Sequence, residues 1–319
     1  MKDKILVTGA AGFIGFHLVE SLLKDNFNVC GIDNINDYYD VKLKNDRINI
    51  LKKYSNFNFN QADISNLEST SNIFKDFQPD KVVNLAAQAG VRYSIDHPFA
   101  YLNSNIVGFL NIIELCKTQN IKGLIYASSS SVYGGNKEIP FSISDRVNKP
   151  LSLYAASKRS NELIAYSYSN LFNLHTTGLR FFTVYGPWGR PDMAMYKFAD
   201  KISSGESIDV YNNGDMKRDF TYIDDIVSGI KSSIDKNYQC EVFNLGNNKS
   251  ENLMDIVKYI EQYLDKKADI NFLPMQPGDV KESWAEIKKS MEMLNYKPRT
   301  NVDVGIEKFI VWYKKYNIK

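Results

Sequence analysis

Residues 9–15, which read GAAGFIG, constrain the fold of this chain more than any other feature of the sequence. They follow the β-rich run 4–7 and lead into an amphipathic stretch, so the glycines lie in a strand–loop–helix unit. In such a unit Gly9 allows the tight turn, Gly12 lets the backbone approach a pyrophosphate, and Gly15 allows close packing of helix on strand. The helix N-terminus adds free N–H groups and a positive dipole end, which suit phosphate. The motif predicts a dinucleotide site.

Short β-rich runs alternate with longer helical patterns through the first half of the chain. The predicted strands are 4–7, 28–32, 56–61, 81–85, 123–127 and 175–180. The predicted helices between them are 13–23, 67–77 and 101–117. Strands separated by helices of this length indicate βαβ units with right-handed crossovers. We therefore predict the α/β fold class, with a Rossmann-type doubly wound parallel sheet.

The pattern changes after Arg180, because residues 181–217 are rich in glycine, proline and aromatic side chains. Further on, 224–233 and 254–264 have helical patterns, and 241–245 is β-rich. We predict that this part of the chain forms a smaller C-terminal substrate domain.

Charge and cysteine content argue against several classes of protein. The 39 basic and 37 acidic residues leave a net charge of +2, without the basic excess typical of nucleic-acid binding. Three cysteines and three histidines are scattered over 319 residues, so we predict neither a disulfide framework nor a metal site. No signal-peptide pattern precedes the glycine motif, and no uninterrupted apolar stretch approaches the roughly 20 residues that span a bilayer. We expect a cytoplasmic protein that binds neither membrane nor nucleic acid.

Asp33 is the second indication of a dinucleotide site. It ends the second predicted strand, 18 residues after Gly15, where a carboxylate can bind both hydroxyls of an adenosine ribose and repels a 2′-phosphate. Asp63, followed by Ile64, comes after the third strand and can place a carboxylate near the adenine amino group. The alternative for Asp33 is an ordinary strand-end aspartate in a turn. The predicted cofactor is NAD in preference to NADP.

Tyr154 and Lys158 begin a strongly helical segment with the sequence YAASK. Positions i and i+4 share one helix face, so the phenol and the ammonium can lie side by side. A neighbouring cation favours the phenolate of a tyrosine and makes it a usable base. The alternative is a helix-start aromatic residue beside a solvated lysine.

Four serine hydroxyls lie upstream, in residues 126–134, which read YASSSSVYG. They come directly after a predicted central strand, at the sheet edge where ligands bind in such folds. A serine-rich loop is the alternative interpretation. The chain has no GxSxG elbow and no histidine near these serines, which argues against a serine hydrolase.

Together these motifs resemble the extended short-chain dehydrogenases/reductases. The resemblance covers essentially the full chain, through LAAQA at 85–89, LRFFTVYGPWGRPDMAMYKF at 179–198, RDFTYIDDI at 218–226 and QPGD at 276–279. Within that superfamily the chain is most similar to the UDP-glucuronate 4-epimerases, in DNINDYYDVKLK at 33–44, QAGVRYS at 88–94 and TVYGPWGRPDMA at 183–194.

The resemblance implies an isomerase, an NAD-dependent 4-epimerase of nucleotide sugars. Residues 1–180, with returning segments near 219–246, correspond to the NAD-binding domain, and 181–319 correspond mainly to the nucleotide-sugar-binding domain. The family's cofactor contacts correspond to Gly9, Ala11, Gly12, Phe13, Ile14, Gly15, Asp33, Asn34, Asp63, Ile64, Leu85, Ala86, Ala87, Tyr154 and Lys158.

The resemblance also implies three catalytic residues. Tyr154 corresponds to the general base that takes the proton from the sugar 4-hydroxyl, and Lys158 to the residue that lowers its pKa and holds the nicotinamide ribose. Ser129, 25 residues before Tyr154, corresponds to the family's catalytic Ser/Thr. In the implied reaction, carbon 4 gives a hydride to NAD and the resulting 4-ketose rotates within the site. The hydride then returns to the other face of carbon 4. UDP-glucuronate thus becomes UDP-galacturonate, which suggests a supply of galacturonate for a surface polysaccharide.

An acid sugar imposes one more requirement on the site. Once carbon 4 is a ketone, the carboxylate at carbon 5 is β to it and can leave as carbon dioxide. Ser128, Ser130, Thr183 and Arg190 are the candidates for holding that carboxylate, because hydroxyls and a guanidinium suit it. Thr183 also stands where many neutral-sugar epimerases resemble LRYFN, with asparagine.

The nucleotide end of the substrate is assigned from the resemblance as well. Arg92 is a further substrate contact, Arg218 resembles the arginine that grips the UDP diphosphate, and Asp279 resembles the acid that binds the uridine ribose. Gln276 stands where neutral-sugar relatives often have a second diphosphate arginine. A surface ion pair with a neighbouring aspartate is the alternative role of Arg218.

Related activities on the same scaffold are less consistent with the sequence. Nucleotide-sugar dehydratases usually have an Asp-Glu pair in the serine region, and UDP-glucuronate decarboxylases typically have Glu where this chain has Ser131. Non-catalytic NAD-binding regulators generally lose the tyrosine or the lysine. The remaining alternatives are 4-epimerisation of UDP-glucose or of a UDP-N-acetylated uronate, and decarboxylation of UDP-glucuronate.

Helices 101–117 and 153–172 are apolar around more of their circumference than one sheet contact requires. The resemblance suggests a homodimer in which they form an intersubunit four-helix bundle. A more deeply buried monomer is the alternative.

Overall fold

The computed structural model describes residues 2–275 and 280–318. The strands are β1 (Lys4–Thr8), β2 (Asn28–Asp33), β3 (Phe57–Gln61), β4 (Lys81–Asn84), β5 (Gly123–Ser129), β6 (Thr176–Phe181), β7 (Thr183–Tyr185), β8 (Ile208–Tyr211), β9 (Lys217–Arg218), β10 (Phe220–Tyr222), β11 (Cys240–Leu245), β12 (Glu251–Asn252), β13 (Ile270–Leu273) and β14 (Glu282–Ser283). The helices are α1 (Phe13–Lys24), α2 (Val41–Leu51), α3 (Leu67–Phe77), α4 (Tyr93–Asp96), α5 (Pro98–Tyr101), α6 (Gly108–Thr118), α7 (Leu153–Phe172), α8 (Ala194–Ser204), α9 (Ile223–Lys236), α10 (Leu253–Leu264), α11 (Lys288–Leu294) and α12 (Val302–Asn317). A π-helix occupies Leu102–Val107, and 3₁₀ turns occupy Ser130–Tyr133 and Asn212–Gly214.

A seven-stranded parallel sheet confirms the predicted fold class. Its strand order is β11-β6-β5-β4-β1-β2-β3, and each neighbouring pair is parallel. The order reverses between β1 and β4, and ligands bind in such folds in the crevice beyond the carboxyl ends of strands at this reversal. The smaller sheets β10-β7, β12-β9-β14 and β13-β8 lie in the C-terminal part of the chain.

The central sheet is covered by helices on both faces. Along β1, Ile5 and Val7 belong to the apolar cluster that includes α1 and α9, whereas Leu6 belongs to the cluster that includes α6. Strands buried on both faces read as continuous apolar runs, which explains why they could be predicted from composition. The strand predictions are confirmed with small shifts at their ends; β5, for example, continues to Ser129.

The helix predicted over 101–117 is confirmed as part of one continuous helical segment, Pro98–Thr118, but its first part is a π-helix. The π-helix separates α5 from α6, and a wider turn of this kind is often found at functional sites. Within it, Asn105 is buried and donates from Nδ2 to the Gln88 carbonyl at 3.0 Å and to Ser157 Oγ at 2.9 Å. The wider turn of the π-helix contains the buried polar side chain of Asn105, whose position the period of an α-helix does not predict.

The segment Pro98–Thr118 is long and apolar enough to cross a membrane by length and composition alone. Polar residues, including Asn105 and Asn111, interrupt its apolar sequence. Ile112 and Cys116 of α6 are buried in the apolar cluster against the sheet. The core helix of a soluble protein passes the same test, and the packing of α6 fits that explanation.

Helix α7 is fixed to the sheet by a buried ion pair. Arg180, on β6, donates from Nε and Nη2 to the two carboxylate oxygens of Glu162 at 2.8 and 2.9 Å. Ser128, on β5, donates to Glu162 Oε1 at 2.6 Å. Burial by itself raises the pKa of Glu162, but the hydrogen bonds and charge of Arg180 outweigh it and hold the pKa below its ordinary value. A charged Glu162 therefore joins α7 to two neighbouring strands.

We predict that Glu162→Gln lowers the free energy of unfolding by about 3–5 kcal/mol, because it leaves the buried Arg180 guanidinium without its counter-charge. Arg159→Met is the matched variant, since Arg159 contacts the same carboxylate at 2.7 Å from a more exposed position. Its loss should stay within about 1 kcal/mol. Urea unfolding measures both, and equal losses in the two variants would contradict this account of α7.

Candidate active site

The glycine loop forms a cradle with no room for side chains. Gly9 has φ +73°, and a Cβ there would lie 2.8 Å from the Ala86 backbone nitrogen. A Cβ on Gly15 would overlap the carbonyl oxygen of Gly9. These contacts bring the N-terminus of α1 against β1 and the segment after β4. Backbone N–H groups and the helix dipole are thereby directed to the position where a pyrophosphate binds in this fold.

Two carboxylates lie at the ends of β2 and β3, as predicted. Asp33 accepts hydrogen bonds from the Ala11 and Ile35 N–H groups at 3.0 and 2.9 Å, and burial raises its pKa. Asp63 accepts from Asn34 Nδ2 at 2.8 Å and from Ser65. Burial opposes ionisation of Asp63, but these hydrogen bonds outweigh it and its pKa lies below the ordinary value. Both side chains line one cavity, where they can meet an adenosine.

That cavity, which we call the cofactor cavity, has a volume of about 710 Å³. It brings together nearly all of the predicted site residues within the described part of the chain. Its lining includes Gly9, Gly12, Phe13, Ile14, Gly15, Asp33, Asn34, Asp63, Ile64, Leu85, Ala86, Ala87, Arg92, Ser128, Ser129, Ser130, Tyr154, Lys158, Thr183, Arg190 and Arg218. Ala11 does not line the cavity, because its side chain is buried in the core. Its backbone N–H contacts the site through its hydrogen bond to Asp33.

Tyr154 lies in the first turn of α7, where Ser152 caps the helix by accepting from the Ala155 N–H at 3.1 Å. Tyr154 is hydrogen-bonded to Ser129, at the end of β5. Ser129 Oγ accepts from both the N–H and the hydroxyl of Ser131, so its own proton is available for Tyr154. The tyrosine and the serine, distant in sequence, therefore meet where β5 ends.

Burial raises the pKa of Tyr154, while the hydrogen bond with Ser129 and the positive charge of Arg190 act in the opposite direction. Lys158, one turn further along α7, donates to the Ala127 carbonyl at 2.9 Å. Burial lowers the pKa of Lys158 to about 8. The site thus combines a phenol, a hydroxyl and two cations in a largely desolvated place, which suits proton transfer at a sugar hydroxyl.

The four candidates for a carboxylate site lie in different surroundings. Ser130 and Thr183 line the cofactor cavity. Ser128 also lines it, but its hydroxyl already donates to Glu162. Arg190 forms a two-point ion pair with Asp192, with Nε–Oδ1 at 2.9 Å and Nη2–Oδ2 at 2.5 Å. The carboxylate of Asp192 thus holds the Arg190 guanidinium near Tyr154.

A second cavity of about 570 Å³ adjoins the cofactor cavity. The two share lining residues that include Arg92, Arg190 and Arg218. Arg92 lies over the Tyr211 ring at 5.3 Å, and Arg218 donates to the Lys217 and Lys281 carbonyls at 2.8 and 3.1 Å. Cationic side chains at the junction suit a diphosphate. The predicted contact Asp279 lies outside the described residues, and so does Gln276.

Sequence reasoning missed several residues that shape the site. Tyr38 donates to Asp192 at 3.3 Å and lines the cofactor cavity, and Asn105 connects the π-helix to α7 through Ser157. The NDYY sequence was part of the resemblance but gave no contact for Tyr38. A polar residue inside an apolar helical pattern was the available signal for Asn105.

Comparisons with known proteins agree with this geometry. Residues 5–246 match the NAD dependent epimerase/dehydratase family. Protein CapI of Staphylococcus aureus is 52% identical, covering 98% of this chain and 99% of its own length. A UDP-glucuronate 4-epimerase of Thermodesulfobacterium geofontis is 43% identical over 97% of this chain and 96% of that protein. The Bacillus cereus UDP-glucuronic acid 4-epimerase, solved with UDP-glucuronic acid and NAD, has a TM-score of 0.92 and 37% identity, with 98% and 99% coverage.

The chain belongs to the NAD dependent epimerase/dehydratase family. It is an NAD-dependent isomerase of the extended short-chain dehydrogenase/reductase type, as the sequence predicted. The residues fit the cofactor: the cradle of Gly9 and Gly15 admits a close backbone approach, and Asp33 lines the same cavity. A buried carboxylate there disfavours the 2′-phosphate of NADP.

We predict that Lys158→Met abolishes turnover but stabilises the cofactor-free protein at pH 7. Because the folded-state pKa is about 8 and the ordinary value is 10.5, the unfolded chain binds the proton more tightly. Below pH 8 the folded state therefore carries the full cost of the buried charge, and this cost declines as the pH rises toward 10.5. The difference corresponds to about 3 kcal/mol, and loss of the hydrogen bond to Ala127 offsets about 1–2 kcal/mol of it.

Urea unfolding of the cofactor-free proteins at pH 7 and pH 10 measures this effect, and the exposed Lys258→Met is the control. The stabilisation by Lys158→Met should be smaller at pH 10. A variant less stable than the wild type at pH 7 would contradict the assignment of a costly buried ammonium.

Proposed function

We propose that this protein is a UDP-glucuronate 4-epimerase, which converts UDP-glucuronate to UDP-galacturonate. The observation that carries the proposal is the meeting of Tyr154, Ser129 and Lys158 at the cofactor cavity, with Arg190 beside the phenol. The relatives named as UDP-glucuronate 4-epimerases, and the Bacillus cereus enzyme solved with UDP-glucuronic acid and NAD, support this substrate.

The chain's own residues handle the proton. Tyr154 takes the proton from the sugar 4-hydroxyl as carbon 4 is oxidised and gives it back when the carbon is reduced again. Ser129 hydrogen-bonds the reacting oxygen, and the charges of Lys158 and Arg190 stabilise the phenolate. When bound, NAD supplies the hydride acceptor at carbon 4 and then the hydride donor. The reaction is redox-neutral overall, so the cofactor stays with the protein.

The acid group of the sugar lies between Ser130, Thr183 and Arg190 in this proposal. Arg190 is paired with Asp192, so it presents a fixed guanidinium whose charge is shared with the protein. The hydroxyl of Ser128 donates to Glu162 and so helps to position α7. In this proposal it does not bind the carboxylate of the sugar. Holding the carboxylate in this way prevents its loss as carbon dioxide while carbon 4 is a ketone.

We assign the second cavity to the UDP part of the substrate. Arg92 and Arg218 at the junction suit the diphosphate, and Asp279, outside the described residues, remains the candidate for the uridine ribose. In this division, residues 1–180 with the returning segments near 219–246 hold NAD, and 181–319 mainly hold the nucleotide sugar.

Free thiols at Cys30, Cys116 and Cys240 are consistent with a cytoplasmic location.

The function is tested with purified wild-type protein, no added NAD, and UDP-glucuronate and UDP-glucose in parallel, with products resolved by proton NMR. We expect UDP-galacturonate from the acid sugar only. Tyr154→Phe should retain bound NAD and lose at least about 100-fold in turnover, because it removes the base. A pentose product would indicate decarboxylation, conversion of UDP-glucose alone would indicate a neutral-sugar epimerase, and full activity of Tyr154→Phe would overturn the mechanism.

We also propose a homodimer formed by α5, α6 and α7. Large apolar side chains are exposed there, with exposed fractions of 74% for Phe99, 53% for Leu163, 65% for Tyr166 and 68% for Leu171. Surfaces of this kind mark interaction sites in soluble proteins. Because α5 and α6 are parts of one continuous helix, Pro98–Thr118, this face consists of two helices. A second copy of the same face would cover the exposed side chains and form the four-helix bundle that the resemblance suggests.

Sedimentation should give twice the 36.5 kDa chain mass for the wild type. Leu163→Glu should give the mass of one chain, because it places a charge in the covered face. Leu67→Glu is the matched control, since Leu67 on α3 is 51% exposed but lies outside this face. A wild-type protein at the single-chain mass, or a dimer that survives Leu163→Glu, would contradict the proposed interface.

A further inference from the structure

One buried arginine connects three separate segments of the chain. Arg47, on α2, is fully buried, and its Nη1 donates to the Ala11 carbonyl at 2.7 Å and to the Tyr39 hydroxyl at 2.8 Å. Its Nη2 donates to the Trp188 carbonyl at 2.5 Å and to the Gly189 carbonyl at 3.3 Å. The guanidinium is planar and rigid, so these four acceptors are held at a fixed spacing.

Two of the acceptors, Tyr39 and Gly189, line the cavities, and the other two, Ala11 and Trp188, are next to the lining residues Gly12 and Gly189 in the chain. Ala11 lies in the glycine loop, and Tyr39 lines the cofactor cavity in the loop after Asp33. Gly189 lines the second cavity and immediately precedes Arg190, which lines both. A shift of the segment 187–190 therefore has to break bonds to the same guanidinium that holds the glycine loop.

The segment 187–190 is held in an unusual conformation. Trp188 has φ +60°, a left-handed backbone region that bulky residues rarely adopt and that persists only where the surroundings enforce it. His17, on α1, lies 2.9 Å from the Pro187 carbonyl through Nε2. Burial lowers the pKa of His17 to about 4, so the ring is neutral at physiological pH and donates from Nε2–H. Arg47 thus ties this segment to the glycine loop, and His17 ties it to α1, the helix that follows that loop.

The partners of Arg47 are all neutral. Within residues 2–275 and 280–318 the structure shows no salt bridge to its guanidinium. The charge of Asp33 acts on Arg47 without a direct ion pair, and Arg47 Nε has no hydrogen-bond partner among the described residues. The four hydrogen bonds of Nη1 and Nη2 therefore offset the cost of burying this cation. The side chain is therefore stable only while the glycine loop, the Tyr39 loop and the 187–190 segment all keep their positions, which makes these three positions interdependent.

We propose that Arg47 is a positioning residue that couples NAD retention to binding of the nucleotide sugar. Arg47 holds the glycine loop and the 187–190 segment at one spacing. A ligand that fixes the walls of one cavity therefore also stabilises the walls of the other cavity in their binding positions. The inference rests on the proposed use of the second cavity by UDP. Because coupling between two sites is reciprocal, UDP should tighten NAD binding by the same factor by which NAD tightens UDP binding, and a more tightly bound NAD should leave the protein more slowly.

The experiment uses the holoenzyme as purified and UDP as the probe. The rate of NAD release after transfer to cofactor-free buffer is measured with and without saturating UDP. In the wild type UDP should slow release by at least about 5-fold, the lower end of typical coupling between sites. In Arg47→Met the ratio should fall to within about 2-fold of one.

Two further variants separate positioning from charge and from stability. Arg47→Lys keeps the positive charge but not the planar fork, so it should also lose the coupling. Cys116→Ala, a buried change near the C-terminal end of α6 and hence at the opposite edge of the sheet, should keep the wild-type ratio. Full coupling in Arg47→Lys, or loss of coupling in Cys116→Ala, would overturn the positioning role.

Titration calorimetry with UDP is carried out on each protein in parallel. If the wild type does not bind UDP, the proposed function fails together with this inference. If UDP binds but does not slow NAD release in the wild type, or slows it equally in Arg47→Met, the proposed function stands and the coupling role of Arg47 is wrong.

Discussion

The buried contact between Glu162 and Arg180 fixes the position of the proposed catalytic residues. It joins α7 to β6, and the hydroxyl of Ser128 extends it to β5. Tyr154 and Lys158 project from the first turns of α7, while Ser129 ends β5, so their meeting depends on the position of α7 over the sheet. A conformational change that separates this helix from the strands would therefore separate Tyr154 and Lys158 from Ser129.

Electrostatics then gives each part of the site its role. Lys158 is a costly buried cation in the cofactor-free protein, and in the proposed mechanism its charge lies one helical turn from the phenol of Tyr154. Arg190 is fixed beside the same phenol by Asp192. Arg47 uses neutral acceptors to hold the walls of both cavities together. Such fixed geometry suits the proposed reaction, in which the hydride must return before the oxidised acid sugar loses carbon dioxide.

Much of this arrangement could be predicted from the sequence, because it depends on local spacing. The glycine loop needs only residues 9–15, Asp33 follows from its place at a strand end, and the Tyr154–Lys158 pair follows from one helical turn. The bond of Ser128 to Glu162 and the π-helix around Asn105 could not be predicted, since each depends on contacts between distant segments. The same is true of Arg47, whose four acceptors lie as far away as Gly189.

In the proposed reaction, carbon 4 of an acid sugar is oxidised and reduced again within one site. The most direct measurement uses UDP-glucuronate labelled with deuterium at carbon 4, incubated with the purified protein without added NAD. We expect UDP-galacturonate that keeps its deuterium at carbon 4, because the same hydride returns to the carbon it left. Loss of the label to solvent, or a product without the carboxylate, would contradict it.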